Sequence, residues 1–346
     1  MSTDTRARLE SLEISGEPYE AGAALGRFGA LIVHRYLRTT SAWTSVIAHR
    51  SDDRILAMAR EVKTRFPRYF AELRGLADGL ELPFDEVFAW NCRGDVWAMA
   101  PDGCTTVQIP GERRVVAHNE DGDPGLNGFC ALARIASSGG IPFTAFVYPG
   151  SIPGHTFAAT DSGLVQTVNN IRARDAGEGI PRMVVTRAVL DCRTLDSATA
   201  LIRSAKRSGA FHLTLAQVGD PRLLGLEFTS VICSVREVST PSLHANHLLH
   251  GETASVPQIV TDSSDSRQKR GDALVAQKCD PLAILRDTAG PGLPIRRDDP
   301  EDPDSENTLA SAIFFIGADA VNWFVYDRAD EPARFHIRER WVKSAY

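Results

Sequence analysis

The residues of this chain with the clearest chemical potential are a glycine and the cysteine that follows it, Gly103-Cys104. A thiol in this position can attack the Gly103 carbonyl, move the peptide to a thioester and let water release it. Cys104 then becomes an N-terminus whose α-amine, with a reference pKa of about 8, lies beside the sulfur. Nucleophile and general base would thus belong to one residue. Glycine suits the scissile position because it has no Cβ and tolerates strained backbone angles. Self-cleavage between Gly103 and Cys104 is one interpretation of the pair, and a buried structural thiol is the other.

The residues after the cysteine predict a β-hairpin. Thr105–Ile109 is β-branched and alternating, as in a strand, and Pro110–Arg113 has the residue types of a turn. With a four-residue turn, Cys104 lies opposite about Asn119 on the returning strand. Asp121 then shares a face with Asn119, because side chains alternate along a strand. We therefore expect a thiol, an amide and a carboxylate together at one end of a sheet.

Further short motifs accompany this hairpin over nearly the whole chain. They are Pro18-Tyr19-Glu20-Ala21-Gly22 with Gly26, Glu72-Leu73-Arg74-Gly75-Leu76-Ala77-Asp78-Gly79, Asn91-Cys92-Arg93, Asp102-Gly103-Cys104-Thr105-Thr106, Asn119-Glu120-Asp121, Gly163-Leu164 with Asn169, His244-Ala245-Asn246-His247, Ser263-Ser264-Asp265-Ser266-Arg267 and Thr308-Leu309-Ala310-Ser311. In order and spacing they resemble the acyl-coenzyme A:isopenicillin N acyltransferase family of N-terminal-nucleophile proteins, which includes insect β-alanyl-amine hydrolases.

The resemblance implies an α+β fold, the four-layer αββα sandwich of N-terminal-nucleophile hydrolases. Residues 1–346 would form one domain, cut by self-cleavage into an α chain of residues 1–103 and a β chain of residues 104–346 that stay associated. Periodicity alone indicates only a mixed α+β protein. It predicts helices up to about residue 90, strands from residue 104 to about 172, then further helices and strands that end in one hairpin. An acidic, proline-rich loop is expected over residues 287–306.

The resemblance also implies the roles of three catalytic residues. Cys104 would be the self-processing residue and the nucleophile that carries the acyl group. Asp121 would orient the amine and thiol of Cys104. Asn246 matches an asparagine that donates a hydrogen bond to the developing oxyanion, a type of donor whose removal typically costs 10²–10³ in rate.

Five further residues are candidates for substrate or oxyanion contacts. Thr160 stands where family members usually have asparagine, so Asn169 is the alternative for that contact. Asn119 is either a nearby donor or a turn asparagine. Arg93 either anchors the cleaved end or a substrate carboxylate, or belongs to a structural ion pair. His247 is interpreted as a flanking or pocket residue.

Three residues on or just before a predicted helix are interpreted as structural and not as part of the site. Ser264, Arg267 and Arg270 fall within the segment from Asp265 to Gln277 and its approach, and we interpret them as structural.

Composition indicates a globular protein and gives no sign of a nucleic-acid or membrane partner. The chain has 346 residues, 43% of them hydrophobic and 24% charged, as in an ordinary globular protein, and its net charge of −6 gives no reason to expect nucleic acid or an anionic membrane as a partner. No apolar run is long enough to span a membrane, and no signal peptide is recognised. Six cysteines without a Cys-x-x-Cys pair argue against a zinc site and for a reducing compartment, which we take to be the cytoplasm.

Metal and cofactor sites are not expected. The spacing of His244, His247 and His250 fits no zinc-binding helix, and we find no glycine-rich phosphate loop. The expected partner is a small amide or acyl-thioester, besides the α and β chains themselves, and the oligomeric state stays open.

The function predicted from these residues is hydrolysis of the amide bond of a small N-acyl compound through an acyl-thioester on Cys104. Transfer of an acyl group from an acyl-CoA or other thioester to an amine uses the same residues and is the first alternative. A non-catalytic binding protein on the same fold is the second. A thiol hydrolase that uses His118 or His247 on an unprocessed chain is the third.

Overall fold

Two sheets and ten helices make up the described part of the chain. This computed structural model describes residues 8–97, 103–299 and 301–340. The helices are α1 Pro18–Arg35, α2 Ser41–Ile47, α3 Asp53–Arg65, α4 Pro67–Leu80, α5 Phe84–Trp90, α6 Arg93–Val96, α7 Arg182–Val189, α8 Leu195–Ser204, α9 Asp262–Ala276 and α10 Pro281–Leu285. The strands are β1 Glu10–Gly16, β2 Gly103–Ile109, β3 Arg114–Gly122, β4 Ala131–Ser137, β5 Phe143–Val147, β6 Ala158–Thr160, β7 Leu164–Asn170, β8 Phe211–Gln217, β9 Leu223–Phe228, β10 Cys233–Glu237, β11 Ser242–His244, β12 Asn307–Ile316, β13 Ala320–Tyr326 and β14 Phe335–Arg340.

The strands divide into an eight-stranded and a six-stranded sheet. The first has the order β1-β4-β5-β6-β7-β8-β9-β10, and the second has the order β11-β2-β3-β12-β13-β14. The pair β1–β4 is parallel, and the other described pairs are antiparallel. The predicted nucleophile strand, β2, lies between β3 and the short strand β11.

The layers follow from where each sheet buries its apolar side chains. The core between the sheets includes Phe146, Phe157 and Val165 on the side of the eight-stranded sheet. On the side of the six-stranded sheet it includes Val116, Phe314 and Trp323. Helices α1 to α5, α7 and α8 cover the outer face of the eight-stranded sheet. Helices α9 and α10 cover the six-stranded sheet, where Leu274 and Leu285 pack on Val107, Ala117 and Ile313. The predicted αββα arrangement is confirmed.

Helices α1 and α4 approach each other unusually closely, through Gly22 and Gly26 on α1 and Gly75 and Gly79 on α4. A Cβ added at Gly75 would lie 1.9 Å from the main-chain oxygen of Tyr19. Main-chain atoms cannot rotate out of the way, so these positions exclude any side chain. Two of the motifs found in the sequence therefore describe one helix–helix contact.

The structure differs from the sequence prediction near both ends of the described chain. Strand β1 lies where only helices are expected, and β14 extends the final hairpin to a third strand. Strand β1 pairs with β4, more than 100 residues later in the chain, and a local pattern does not reveal such a pairing.

The described residues of the segment from 287 to 306, which are all except residue 300, form no regular helix or strand, as expected, but they are anchored. Ile295 and Arg297 are buried against the six-stranded sheet and its helices.

Candidate active site

Cys104 is the second residue of β2 and is buried, with neighbours on both sides. On one side it pairs with Glu120 of β3. On the other side the β2–β11 register ends at Thr106 opposite His244, and two residues later the chain reaches Asn246. Asn246 therefore comes to lie beside Cys104, and its Oδ1 accepts a hydrogen bond from the Cys104 main-chain N–H at 3.0 Å.

The predicted register of the β2–β3 hairpin is wrong by one residue. Ile109 pairs with Val115, so Cys104 lies opposite Glu120 rather than Asn119. A shift of one residue moves every side chain of the returning strand to the other face. The thiol consequently shares its face with Glu120 and His118, whereas Asn119 and Asp121 lie on the face of Thr105.

The main-chain atoms of Cys104 are held by a buried arginine that the sequence reading interpreted as structural. Arg267 on α9 donates from Nη1 to the Cys104 carbonyl at 2.6 Å and to Thr105 Oγ1 at 2.9 Å, and from Nη2 to Asn246 Oδ1 at 2.6 Å. Burial lowers the pKa of Arg267, while the negative charges of Asp121 and Glu306 oppose that shift. One guanidinium thus bridges the predicted nucleophile and the predicted oxyanion residue.

Asn246 faces Cys104 with its acceptor atom. Its Oδ1 receives the Cys104 N–H and the Arg267 guanidinium, while its Nδ2 donates to the carbonyl of Asn170 at 3.0 Å. In this arrangement the side chain binds the nitrogen that self-cleavage would convert to an amine. Its predicted role as an oxyanion donor stays a prediction.

Asp121 lies opposite Gly103, at the predicted scissile bond. Its Oδ1 accepts a hydrogen bond from Thr308 Oγ1 at 2.6 Å, and its Oδ2 is a buried oxygen with no hydrogen-bond partner among the described residues. A buried carboxylate oxygen of this kind can accept a hydrogen bond from a new cationic amine next to it.

Close packing requires glycine at position 103. A Cβ there would lie 2.5 Å from Glu306 Oε2 and 3.3 Å from Asp121 Cβ. Glu306 cannot move aside easily, since Arg172 and Arg297 hold its two oxygens at 3.1 and 2.7 Å. These charged groups surround the Gly103–Cys104 bond on the side of α9.

The thiol side of Cys104 carries a second polar cluster. The Cys104 sulfur, a ring nitrogen of His118 and a carboxylate oxygen of Glu120 lie within 4.8 Å of one another, and all three residues are buried. His118 Nε2 lies 3.1 Å from Glu120 Oε2, and Tyr148 donates its hydroxyl to Glu120 Oε1 at 3.0 Å. The thiol of the predicted nucleophile therefore lies next to a buried imidazole and a buried carboxylate.

Asn169 and Asn119 lie on opposite faces of the six-stranded sheet. Asn169 Oδ1 accepts the hydroxyl proton of Thr106 at 2.7 Å, which connects it to the thiol side. Asn119 donates from Nδ2 to the carbonyl of Leu285 at 2.8 Å and accepts from Ser311 Oγ at 2.6 Å. Asn119 therefore ties α10 to the sheet.

The remaining candidates lie further from the thiol. Thr160 bonds with Ser162 Oγ at 2.8 Å in the turn between β6 and β7. His247 Nδ1 lies 2.8 Å from Ser264 Oγ, next to Asn246. Arg93 donates to Ser151 Oγ at 3.3 Å, and its guanidinium stacks 5.0 Å from the ring of Trp90.

A pocket adjoins this site on the side of the N-terminal helices. It is lined by Leu37, Ala42, Trp90, Arg93, Gly122, Asp123, Leu126, Tyr148, Pro149 and Ser151. Gly122 directly follows Asp121, and Tyr148 reaches Glu120, so one wall of the pocket contacts the cluster around Cys104. The walls are mostly apolar, with one guanidinium and one carboxylate.

Sequence reasoning missed the contact of Arg267 with Cys104, and it named His118 only as the base of an unprocessed hydrolase, without its pairing with Glu120. A signal for the arginine was present, because Ser263 and Arg267 are one helical turn apart in a motif that matches the family, and Arg267 Nε donates to Ser263 Oγ at 3.1 Å. The His118–Glu120 pair depends on the hairpin register, which a turn of unknown length does not determine.

Comparison with known proteins agrees with the resemblance noted in the sequence. The model of the acyl-coenzyme A:6-aminopenicillanic acid acyl-transferase family matches residues 109–330, which is more than half of the chain. The chain belongs to this family. The matched region contains Asp121, Asn246 and Arg267, while Cys104 lies just before it.

The chain is also similar to the beta-alanyl-dopamine/carcinine hydrolase of Drosophila melanogaster, with 27% identity over 246 residues. The match covers 63% of this chain and 63% of the fly protein. Two solved structures of conjugated bile acid hydrolase variants from Clostridium perfringens are also similar, with TM-scores of 0.43 and 0.40 and identities of 10% and 9%. Each match covers 70% of this chain. It covers 98% of the first solved chain and 97% of the second.

The described helices include none with the length and apolar character that crossing a membrane requires. All six cysteines are free thiols.

Proposed function

We propose that this acyl-transferase family member is a self-processing cysteine enzyme that hydrolyses the amide bond of a small N-acyl compound. The observation that carries the proposal is the pair of contacts at Cys104, whose N–H donates to Asn246 Oδ1 and whose carbonyl accepts from Arg267. These contacts support cleavage of a single domain, residues 1–346, into chains of residues 1–103 and 104–346.

In the proposed reaction, the Cys104 sulfur attacks the carbonyl carbon of the substrate and the α-amine of Cys104 takes the thiol proton. The amine leaves with that proton, and an acyl-thioester stays on the sulfur. Asp121 Oδ2 and Asn246 Oδ1 hold the α-amine, while Arg267 keeps Asn246 and the main chain of Cys104 in position. Water then attacks the thioester and restores the thiol.

The pocket beside Asp121 supports a small substrate. Its apolar walls suit a compact aliphatic or aromatic group, and the carboxylate of Asp123 suits an amine on either half of the substrate. The fly relative is named for two β-alanyl amides, in which the acyl group carries a primary amine. We infer that a β-alanyl or similar amino-acyl amide is the first substrate class to test.

Acyl transfer remains a second candidate because the matching family is named for an acyl-transferase. Hydrolysis and transfer share the acyl-thioester and differ in the nucleophile that takes the acyl group. We infer a reducing compartment, the cytoplasm, from the six free thiols.

The proposal is tested by the intact mass of the purified protein beside a Cys104→Ala variant. Two fragments of about 11 and 26 kDa are expected, the residue shares of the 37.7 kDa chain, and the variant should stay whole. The cleaved protein is then incubated with a panel of amino-acyl amides, with and without added amines. Free acid as product supports hydrolysis, and an exchanged amide supports transfer. A folded wild-type chain that never cleaves would refute the proposal.

A further inference from the structure

His118 and Glu120, on the thiol side of Cys104, have no role in the mechanism above. Cys104, His118 and Glu120 belong to the paired strands β2 and β3, and their sulfur, ring nitrogen and carboxylate oxygen converge within 4.8 Å. Each is at most 2% exposed. A buried carboxylate next to a buried imidazole is costly unless each stabilises the other, so this arrangement invites a functional explanation.

The hydrogen bonds around His118 determine which ring nitrogen is basic. Thr106 donates its only hydroxyl proton to Asn169 Oδ1 at 2.7 Å, because the amide group of Asn169 is donating to the His244 carbonyl. Thr106 Oγ1 must therefore accept from His118 Nδ1–H, which lies 2.8 Å away. This leaves a lone pair on Nε2, the nitrogen that lies 3.1 Å from Glu120 Oε2.

The His118 imidazole is neutral before cleavage, and burial alone makes it a weak base unless a neighbouring charge stabilises its protonated form. Burial lowers the pKa of His118 to about 3, so the ring is neutral at physiological pH and can accept a proton. Glu120 is positioned to stabilise the resulting imidazolium, and the Tyr148 hydroxyl fixes the other carboxylate oxygen at 3.0 Å.

The uncleaved chain needs such a base. Before cleavage, the nitrogen of Cys104 is a peptide amide, whose lone pair is delocalised into the carbonyl and cannot accept the thiol proton. The α-amine that serves the mature enzyme exists only after the Gly103–Cys104 bond is broken. The first step of processing therefore requires a different proton acceptor beside the sulfur.

We propose that the His118–Glu120 pair is the catalytic base of self-cleavage, an inference that rests on the self-processing function proposed above. His118 Nε2 takes the proton from the Cys104 thiol as the sulfur attacks the Gly103 carbonyl carbon. A C–S bond forms and the C–N bond breaks. The proton passes to the Cys104 nitrogen, which becomes the free amine. Water then hydrolyses the thioester, which gives the Gly103 carboxylate and restores the thiol.

Several titratable groups face this pair and must be considered in any pH profile. They are the Cys104 thiol on β2, Cys130 before β4, the Tyr148 hydroxyl after β5 and His212 on β8. Burial raises the pKa of the Cys130 thiol and lowers the pKa of His212, so both are neutral near pH 7. The charged groups Asp121 and Arg267 contact the other face of the hairpin.

The test is the rate of self-cleavage of the full chain, made by cell-free synthesis and followed by intact mass after a jump to buffers between pH 6 and 8. The wild-type rate should change little over this range, because His118 is neutral throughout. The His118→Gln variant should cleave at least about 100-fold more slowly at pH 6, and its rate should rise about tenfold per pH unit as the free thiol ionises. Glu120→Gln removes the charge that stabilises protonated His118 and should be about tenfold slower.

The matched control is His49→Gln, which alters an exposed histidine that pairs with Asp52, and it should cleave like the wild type. If His118→Gln cleaves at the wild-type rate with a flat pH profile, the proposed base is overturned while the self-processing function stands. If the wild-type chain itself never cleaves, the failure belongs to the proposed function.

A His118→Gln variant that does not cleave at any pH is resolved by a second measurement. Imidazole and amines of graded pKa are added to His118→Ala, which has space for a small base. Rates that recover and follow the pKa of the added base support the proposal. If no added base restores cleavage of His118→Ala and Glu120→Gln cleaves at the wild-type rate, the proposed catalytic base is overturned.

Discussion

At the scale of single residues, the site depends on one guanidinium that contacts three acceptors around the nucleophile. Arg267 contacts the Cys104 carbonyl, the Thr105 hydroxyl and Asn246 Oδ1, and it is almost completely buried. The planar guanidinium has several N–H donors and can bond to all three acceptors at once. A lysine ammonium is a single point charge on a flexible side chain of different length.

We expect Arg267→Lys to lower both the self-cleavage rate and the turnover of the amide substrate by about 100-fold, because misplacement of a nucleophile by about 1 Å costs that much. The fall should be in kcat, with KM little changed, since Arg267 does not line the pocket. Steady-state kinetics and intact mass measure the two effects.

The control for this prediction is Arg270→Lys, one turn further along α9, where the side chain pairs with Asp287. It should stay within about twofold of the wild type, as expected for a partly exposed ion pair. Wild-type kcat in Arg267→Lys would show that the guanidinium is not needed for positioning.

At the scale of elements, the contact between α1 and α4 is set by glycines and not by interlocking side chains. A Cβ added at Gly75 would lie only 1.9 Å from the Tyr19 main-chain oxygen. One added at Gly22 would lie only 1.9 Å from the Glu72 main-chain oxygen. Glu72 in turn forms a buried ion pair with Arg187 of α7 at 3.1 Å. The glycines thus determine how the helical layer lies on the eight-stranded sheet.

The Gly75→Ala variant should be destabilised by at least about 1–3 kcal/mol, the usual cost of overpacking, because the clash is with main-chain atoms. Urea unfolding monitored by circular dichroism measures the change. Gly251→Ala is the control, since its Cβ would lie an ordinary 3.5 Å from Arg236 Nη2. Equal stability of the two variants would contradict the close approach of α1 and α4.

At the scale of the whole molecule, a partly buried carboxyl group on the edge strand β14 couples stability to pH. Burial and the nearby charge of Asp161 raise the pKa of Glu339 on β14 to about 7, although Arg134 opposes the shift. Between the ordinary value of 4.5 and about 7, the folded protein therefore holds a proton that the unfolded chain has lost. This stabilisation is complete below pH 4.5 and is lost as the pH rises through 7.

Replacement of Glu339 by Gln should remove this pH dependence. The Tm of Glu339→Gln, relative to the Tm of the wild type, should increase as the pH rises from 5 to 8. Differential scanning calorimetry at several pH values measures it, with Glu237→Gln, an exposed strand residue, as the control. A Tm difference that stays constant over this range would contradict the raised pKa.

The sequence by itself determined the reactive dipeptide, the hairpin that carries it and the family. Gly103-Cys104, the alternation of β2 and β3, and the motif that contains Asn246 are local patterns, and side-chain periodicity follows directly from backbone geometry. The same patterns support the succession of helical and strand layers.

Only the tertiary structure decided which side chains face the sulfur. The β2–β3 loop is one residue longer than predicted, and this shift exchanges Asn119 for Glu120 and His118 beside Cys104. Arg267 reaches the nucleophile from a helix 163 residues further along the chain, and β1 pairs with β4 more than 100 residues later in the chain. Periodicity specifies how faces alternate, but loop lengths and long-range packing determine which face meets which partner.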